Sequence, residues 1–279
     1  MPADRSTDST AESDPPRGSI SSASSLAASR SLLAFVPALA VGVVVCVAYL
    51  LTHPFPALGG GLFLAMAEAV AENGYTLPAR IPGYTPGGIP FPYPPLAFYL
   101  LGPLLDAGAS PLALARFLPG LLTIAALVPT YALGRELLDS NGQAGFAAVI
   151  VASSPAVLTW HLSAGGVVRT FAFFLTICGL YTGYRLFADG RRWLFPTTIL
   201  FGLVVLIHPL YPVLFGPSTL YFYLARDRSL RGLAYGTLVA LGGLALRAVP
   251  SVSLYPARGL AELDRPQRVL RGTVGRTGE

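Results

Sequence analysis

The chain has 279 residues, 53% of them hydrophobic and only 12% charged, with a mean hydropathy of +0.60. Soluble domains carry about 25% charged residues, so the composition excludes an ordinary water-soluble enzyme and predicts several membrane spans. The net charge of +5 rests on 19 arginines and no lysine; no stretch interleaves them with aromatic rings as a nucleic-acid groove does, and arginines at membrane ends account for them.

Residues 1–30 are rich in Ser, Asp, Ala and Pro and lack apolar periodicity, which predicts a disordered tail. The uncharged run Leu32–Leu51 is long enough to cross the hydrocarbon core and reads as the first span. The following stretch, Thr52 to Pro95, is crowded with Gly and Pro. Its one helical segment is Leu62–Asn73: Leu62, Met66 and Val70 recur every four residues, Glu68 and Glu72 take the opposite face, and Gly74 supplies a stop. Such a helix suits a membrane surface. A short apolar helix from Pro95 to about Leu105 reads as interfacial or re-entrant. Further spans are expected near 116–134, 143–160, 167–187, 193–208, 210–225 and 232–249.

The fold expected is therefore an all-α, polytopic bundle of about seven spans over residues 31–250, with a long outer loop at 52–115 carrying interfacial helices. Alternation of the spans puts Arg135, the group Arg185, Arg191 and Arg192, and the group Arg226, Arg228 and Arg231 on one side with the N-terminal tail. The positive-inside rule makes that side cytoplasmic, in a multi-pass cell-membrane protein. The Arg/Gly-rich segment 251–279 breaks the alternation and reads as unstructured, or as a truncated or frame-shifted end.

The chemistry-bearing residues collect on the outer side. His53, His161 and His208 fall at outer ends of three spans, two of them before Pro. They suit a metal, a phosphate or a polar head group, or serve only as interfacial residues. Arg169 stands on the outer side against the charge trend, after Gly165-Gly166. Its guanidinium could grip a phosphate, with backbone amides of the glycine pair approaching the same anion; the alternative is an arginine that snorkels to the head groups. Glu68 and Glu72 are the outer acids one helical turn apart, either a base pair for a hydroxyl or a solvated face. Tyr84, Tyr93 and Trp160 are aromatic candidates for stacking on a sugar, or membrane anchors. Cys46 and Cys178 sit in apolar runs and suggest neither a metal site nor a disulfide framework. No Walker, HExxH, GxSxG or CxxC motif occurs.

One layout stands out. A long outer loop between the first two spans carries a surface helix and then Tyr93-Pro94-Pro95-Leu96-Ala97-Phe98-Tyr99-Leu100. The next span opens with Arg116-Phe117-Leu118-Pro119-Gly120-Leu121-Leu122 and closes with Tyr131-Ala132-Leu133-Gly134-Arg135. Over residues 32–225 this resembles the N-terminal half of the GT-C membrane glycosyltransferases, which include the protein O-mannosyltransferases and aminoarabinose transferases. The resemblance implies transfer of a sugar from a polyprenyl-phosphate-linked donor to a glycan, lipid or protein acceptor on the outer face. It implies an arginine on the phosphate (Arg169, with Gly165, Gly166, His161 and His208 beside it) and an outer-loop carboxylate as base (Glu68 or Glu72, with His53 assisting). Tyr84, Tyr93 and Trp160 would then touch sugar or acceptor. No cofactor is expected, and a divalent metal is left open. The sequence departs from the family where His53-Pro54-Phe55-Pro56-Ala57-Leu58 follows the first span, since the family keeps its key acid there. A non-catalytic protein that binds a lipid-linked glycan or a partner is the alternative, and a transporter or flippase the third.

Overall fold

The computed structural model describes residues 18–246, with side chains from residue 29 onward. Most of the expected tail 1–30, and the segment 251–279 with its arginines, lie outside the described residues. The fold is almost entirely helical. α1 (Gly18–Thr52) leads to α2 (Gly60–Glu72), a minimal hairpin of β1 (Arg80–Ile81) and β2 (Ile89–Pro90), and α3 (Leu96–Asp106). Then come α4 (Pro111–Leu138), α5 (Asn141–Ser153), α6 (Pro155–Val157) running into a π turn at Leu158–Ser163, and α7 (Val167–Asp189). α8 (Leu194–Ile207), α9 (Tyr211–Arg226) and α10 (Leu230–Ala245) complete it.

α1 begins at Gly18, inside the segment expected to be unstructured. Once the apolar run after Leu32 is helical, each added residue costs no new nucleation, and the Ser/Ala stretch before it propagates the helix. Among the described residues three helices are long and apolar enough to cross a membrane: Ser29–Thr52 of α1, α4 and α7, with 24, 28 and 23 residues. At 1.5 Å per residue each exceeds the roughly 30 Å of hydrocarbon. Leu33, Val44 and Leu51 of α1 and Leu121 and Val128 of α4 stay exposed on the isolated bundle, as lipid-facing side chains do. The chain is thus a helical membrane protein. The stretch expected as one span at 143–160 is a bent pair, α5 and Pro155–Ser163, meeting at 43°. Ser154-Pro155 sits at the bend, where the ring removes a backbone donor and forces the preceding residue out of the helical region; Ser154 has ψ 120°. α8, α9 and α10 have 14, 16 and 16 residues, or about 21–24 Å of helix each.

The helix ends follow their local chemistry. The hydroxyls of Ser110, Ser140 and Ser229 accept the amides of Ala113, Gln143 and Gly232, capping α4, α5 and α10. α2 closes with the Tyr75 amide donating to the Val70 carbonyl at 2.9 Å while Gly74 and Tyr75 both take positive φ. The Tyr75 hydroxyl then donates to Asp106, tying the end of α2 to the end of α3. That bond to the carboxylate raises the Tyr75 pKa. The hairpin pairs Arg80 with Pro90 and Ile81 with Ile89. Two-residue strands leave no alternating pattern to read, so the sequence showed only a loop.

The expected apolar face of α2 exists, but protein covers it. Met66, Ala67 and Val70 pack with Phe98 and Leu101 of α3, Val167 and Val168 of α7, and Val204 and Ile207 of α8. Glu68 and Glu72 remain exposed. Residues 53–60 therefore lie against the start of α7: Ala57 donates to the Ser163 carbonyl at 2.8 Å. At the far end of the bundle, Arg185 pairs with Glu136 and Asp189, and Tyr184 donates to the Glu136 carbonyl at 2.9 Å, joining α7 to α4.

Candidate functional site

The bend at Pro155 and the π turn after it decide where the site forms. In the turn the Ala164 amide reaches back five residues to Thr159, and Gly166 to His161. The extra residue per turn, common at functional sites, buries His161 and leaves Trp160 exposed. A second break helps. His208 precedes Pro209 and is extended (φ −149°, ψ 131°), as a residue before proline prefers. α8 ends there, and Tyr211 opens α9 facing the π turn.

His161, Arg169, His208, Tyr211, Trp160 and Phe173 line one cleft of about 490 Å³. The Nε2 atom of His161 is 2.8 Å from the Tyr211 hydroxyl, and its ring lies 4.7 Å from that of Phe173. The His208 ring meets Tyr211 edge-on at 5.2 Å and Tyr93 at 5.7 Å. The Arg169 guanidinium sits 4.7 Å above the Trp160 ring, a cation–π contact. No Asp or Glu pairs with Arg169 among the described residues, and none lines the cleft. Ala156, Val157, Leu210 and Leu214 complete the walls.

Two buried imidazole nitrogens lack partners, His161 Nδ1 and His208 Nε2, although the residues are only 4% and 5% exposed. For His208 the proton can be placed. Leu210 donates its amide to Nδ1 at 3.2 Å, so Nδ1 offers its lone pair and Nε2 carries the hydrogen. An orphaned buried donor costs about 1–3 kcal/mol, and an acceptor entering the cleft removes that penalty. The arrangement is a fixed cation, imidazole groups and apolar walls. It can hold the anionic head of an amphiphile. Removing the Tyr211 hydroxyl (Tyr211→Phe) strands the second nitrogen of His161, and the expected loss is about 1–2 kcal/mol of stability. Unfolding in detergent checks this, and an unchanged midpoint contradicts the bond.

The expected site residues divide. Arg169, His161, His208 and Trp160 come together, with Tyr93 against His208. Gly165 and Gly166 adjoin them in another role. Their amides already donate, to the Leu162 and His161 carbonyls, and are not available to an anion. Gly165 takes φ 59°, and a Cβ there would stand 2.7 Å from Pro56 Cβ; one at Gly166 would stand 2.3 Å from the Trp160 carbonyl oxygen. The pair allows the close crossing that seats the first loop on the π turn. His53 lies outside the cleft, stacked on Tyr49 at 4.7 Å with Nδ1 2.8 Å from Thr52 Oγ1. Glu68 lines a separate groove with Phe55, Pro56 and Leu112. Glu72 and Tyr84 are exposed and away from the cleft. Tyr211, in sequence one more outer aromatic suited to a sugar face or a membrane anchor, is here the partner of His161; the adjacent His208-Pro209 break is the signal that places it.

Among the described residues no group of three or more His, Cys, Asp or Glu is placed to hold a metal ion. No protein-family model matches the chain, and neither a curated protein nor a solved structure matches it.

Proposed function

We propose that the protein is a GT-C-type membrane glycosyltransferase that holds a polyprenyl-phosphate-linked sugar by its phosphate, with about seven crossings and the cleft on the outer face. One observation carries this reading: Arg169, without an acidic partner among the described residues, shares an apolar-walled cleft with the unsatisfied donor of His208. A guanidinium gives a phosphate two parallel hydrogen bonds, and Leu210, Leu214 and Val157 suit the first isoprene units. In transfer, an acceptor oxygen bonds to the anomeric carbon, the carbon–phosphate oxygen bond breaks, and polyprenyl phosphate leaves bearing its charge on Arg169. The acceptor proton passes to a base. Glu68 and Glu72 are the outer-loop acids open to an acceptor, since both face solvent from α2.

A second reading keeps the binding and drops the transfer. It is favoured by the position of Glu68, Glu72 and His53 outside the cleft, which leaves the reacting centre without a carboxylate. Proteoliposomes holding the purified chain and a radiolabelled polyprenyl-phosphate sugar separate the two. Label moving to acceptor supports the transferase. Retained but untransferred donor supports the binding protein. Failure to retain donor overturns both.

A further inference from the structure

Another groove lies toward the other end of α9, between α9 and α10, with Phe187 of α7 and Phe201 of α8 beneath it. It measures about 250 Å³, has Phe187, Phe201 and Phe215 in its lining, and is almost wholly apolar. Glycines make it. Gly216 and Gly236 line it, and a Cβ at Gly216 would meet nothing within 4 Å, while one at Gly236 would meet only Phe187 Cζ at 3.8 Å. A glycine inside a helix is less favourable than alanine, so it usually marks a close approach. Gly179 is such a case, with Phe215 Cε2 at 2.1 Å from its Cβ position. Neither Gly216 nor Gly236 marks such a close approach; they leave space open.

Its lining residues Tyr223 and Gly232 flank the α9–α10 connection, at which three arginines stand. Arg226 ends α9, Arg228 follows it in the connection, Arg231 stands in the first turn of α10, and all three are exposed. Arg226 donates to the Tyr184 hydroxyl and lies over its ring, whereas Arg228 Nε donates to the Leu224 carbonyl at 2.6 Å and Arg231 Nε to the Tyr235 hydroxyl at 2.7 Å. Among the described residues none of the three has an ion-pair partner. The one acid there, Asp227, turns Oδ1 to the Ser229 amide at 3.1 Å. Three arginines less one aspartate leave a formal charge of +2. An apolar slot ending in unpaired cations is complementary to an acyl chain ending in an anion.

We propose that this groove is a binding site for an anionic phospholipid, with one acyl chain against the phenylalanines and the head group on Arg228 and Arg231. It is separate from the Arg169 cleft and does not depend on what that cleft binds. The test is native mass spectrometry of the full chain in mild detergent, offered phosphatidylglycerol or phosphatidylcholine with the same acyl chains. The expected result is one retained phosphatidylglycerol, held about tenfold better than phosphatidylcholine. Gly216→Leu with Gly236→Leu fills the slot and abolishes retention. Arg228→Gln, on an exposed side chain, weakens the preference without touching the packing, so the proposal stays testable should the leucine variant misfold. Equal retention of the two lipids, or full retention by a folded leucine variant, overturns the proposal. So does a dimer that the leucine variant dissolves with no lipid preference, because a second copy would then occupy the groove.

Discussion

On the proposed function, replacing Arg169 by alanine is expected to lower affinity for polyprenyl phosphate about 10- to 100-fold, while the protein stays folded. The magnitude follows from losing charge-assisted hydrogen bonds, which contribute about 1.5–3 kcal/mol, at 1.4 kcal/mol per decade. Folding is spared because the guanidinium pairs with no carboxylate among the described residues and touches the exposed Trp160 ring. Arg169→Lys keeps the charge and loses the planar fork, so its affinity falls between the two. A titration of fluorescent polyprenyl phosphate into detergent-solubilised protein reads all three. Equal affinities for wild type and Arg169→Ala would assign Arg169 to the membrane head groups, as a snorkelling side chain.

The second large effect is on stability. Gly145→Ala is expected to destabilise the fold by about 3 kcal/mol, at the upper end of overpacking. A Cβ at position 145 would stand 2.1 Å from the Ala34 carbonyl oxygen of α1. That obstacle is backbone, so no side-chain rotation relieves it and the two helices must part. Ala38, Ala144 and Ala148 pack in the same contact, the small-residue seam by which membrane helices approach closely. Parting the helices also disturbs the Tyr131 hydroxyl, which donates to the Ser31 carbonyl at 2.8 Å. Gly142 in the same helix is the control. Its Cβ would meet only Ser140 Oγ at 3.9 Å, so Gly142→Ala leaves stability unchanged or slightly higher. Denaturant unfolding in detergent compares them; matching midpoints for the two variants contradict the tight α1–α5 contact.

The sequence announced what depends on local composition. Long stretches without charge marked α1, α4 and α7, and the four-residue spacing of Leu62, Met66 and Val70 marked α2. Breaks inside apolar runs were harder to see. Ser154-Pro155 reads as a tolerable interruption until the π turn shows how far the axis bends, and His208-Pro209 likewise separates α8 from α9. Arg169 was legible because a charge on the wrong side of the alternation needs a reason. Its partners were not. His161 and Tyr211 are fifty positions apart, and no periodicity links residues brought together by the packing of α7, α8 and α9. Gly165-Gly166 misled for a related reason: a glycine pair serves an anion or a helix crossing equally well in sequence, and only the carbonyls already bonded to its amides separate the two. Tyr49 shows how His53 was drawn away, since a ring one turn back in α1 offers a nearer surface than the cleft.

The most direct test of the cleft as a lipid-phosphate site is photo-crosslinking with a polyprenyl phosphate that carries a diazirine in its first isoprene units, followed by peptide mapping. The account predicts adducts on Ala156–Trp160 and Leu210–Leu214, competed by unlabelled polyprenyl phosphate and not by the uncharged polyprenol. Adducts spread along the lipid-facing sides of α1 and α4 and absent from the cleft, or equal competition by the alcohol, would contradict it.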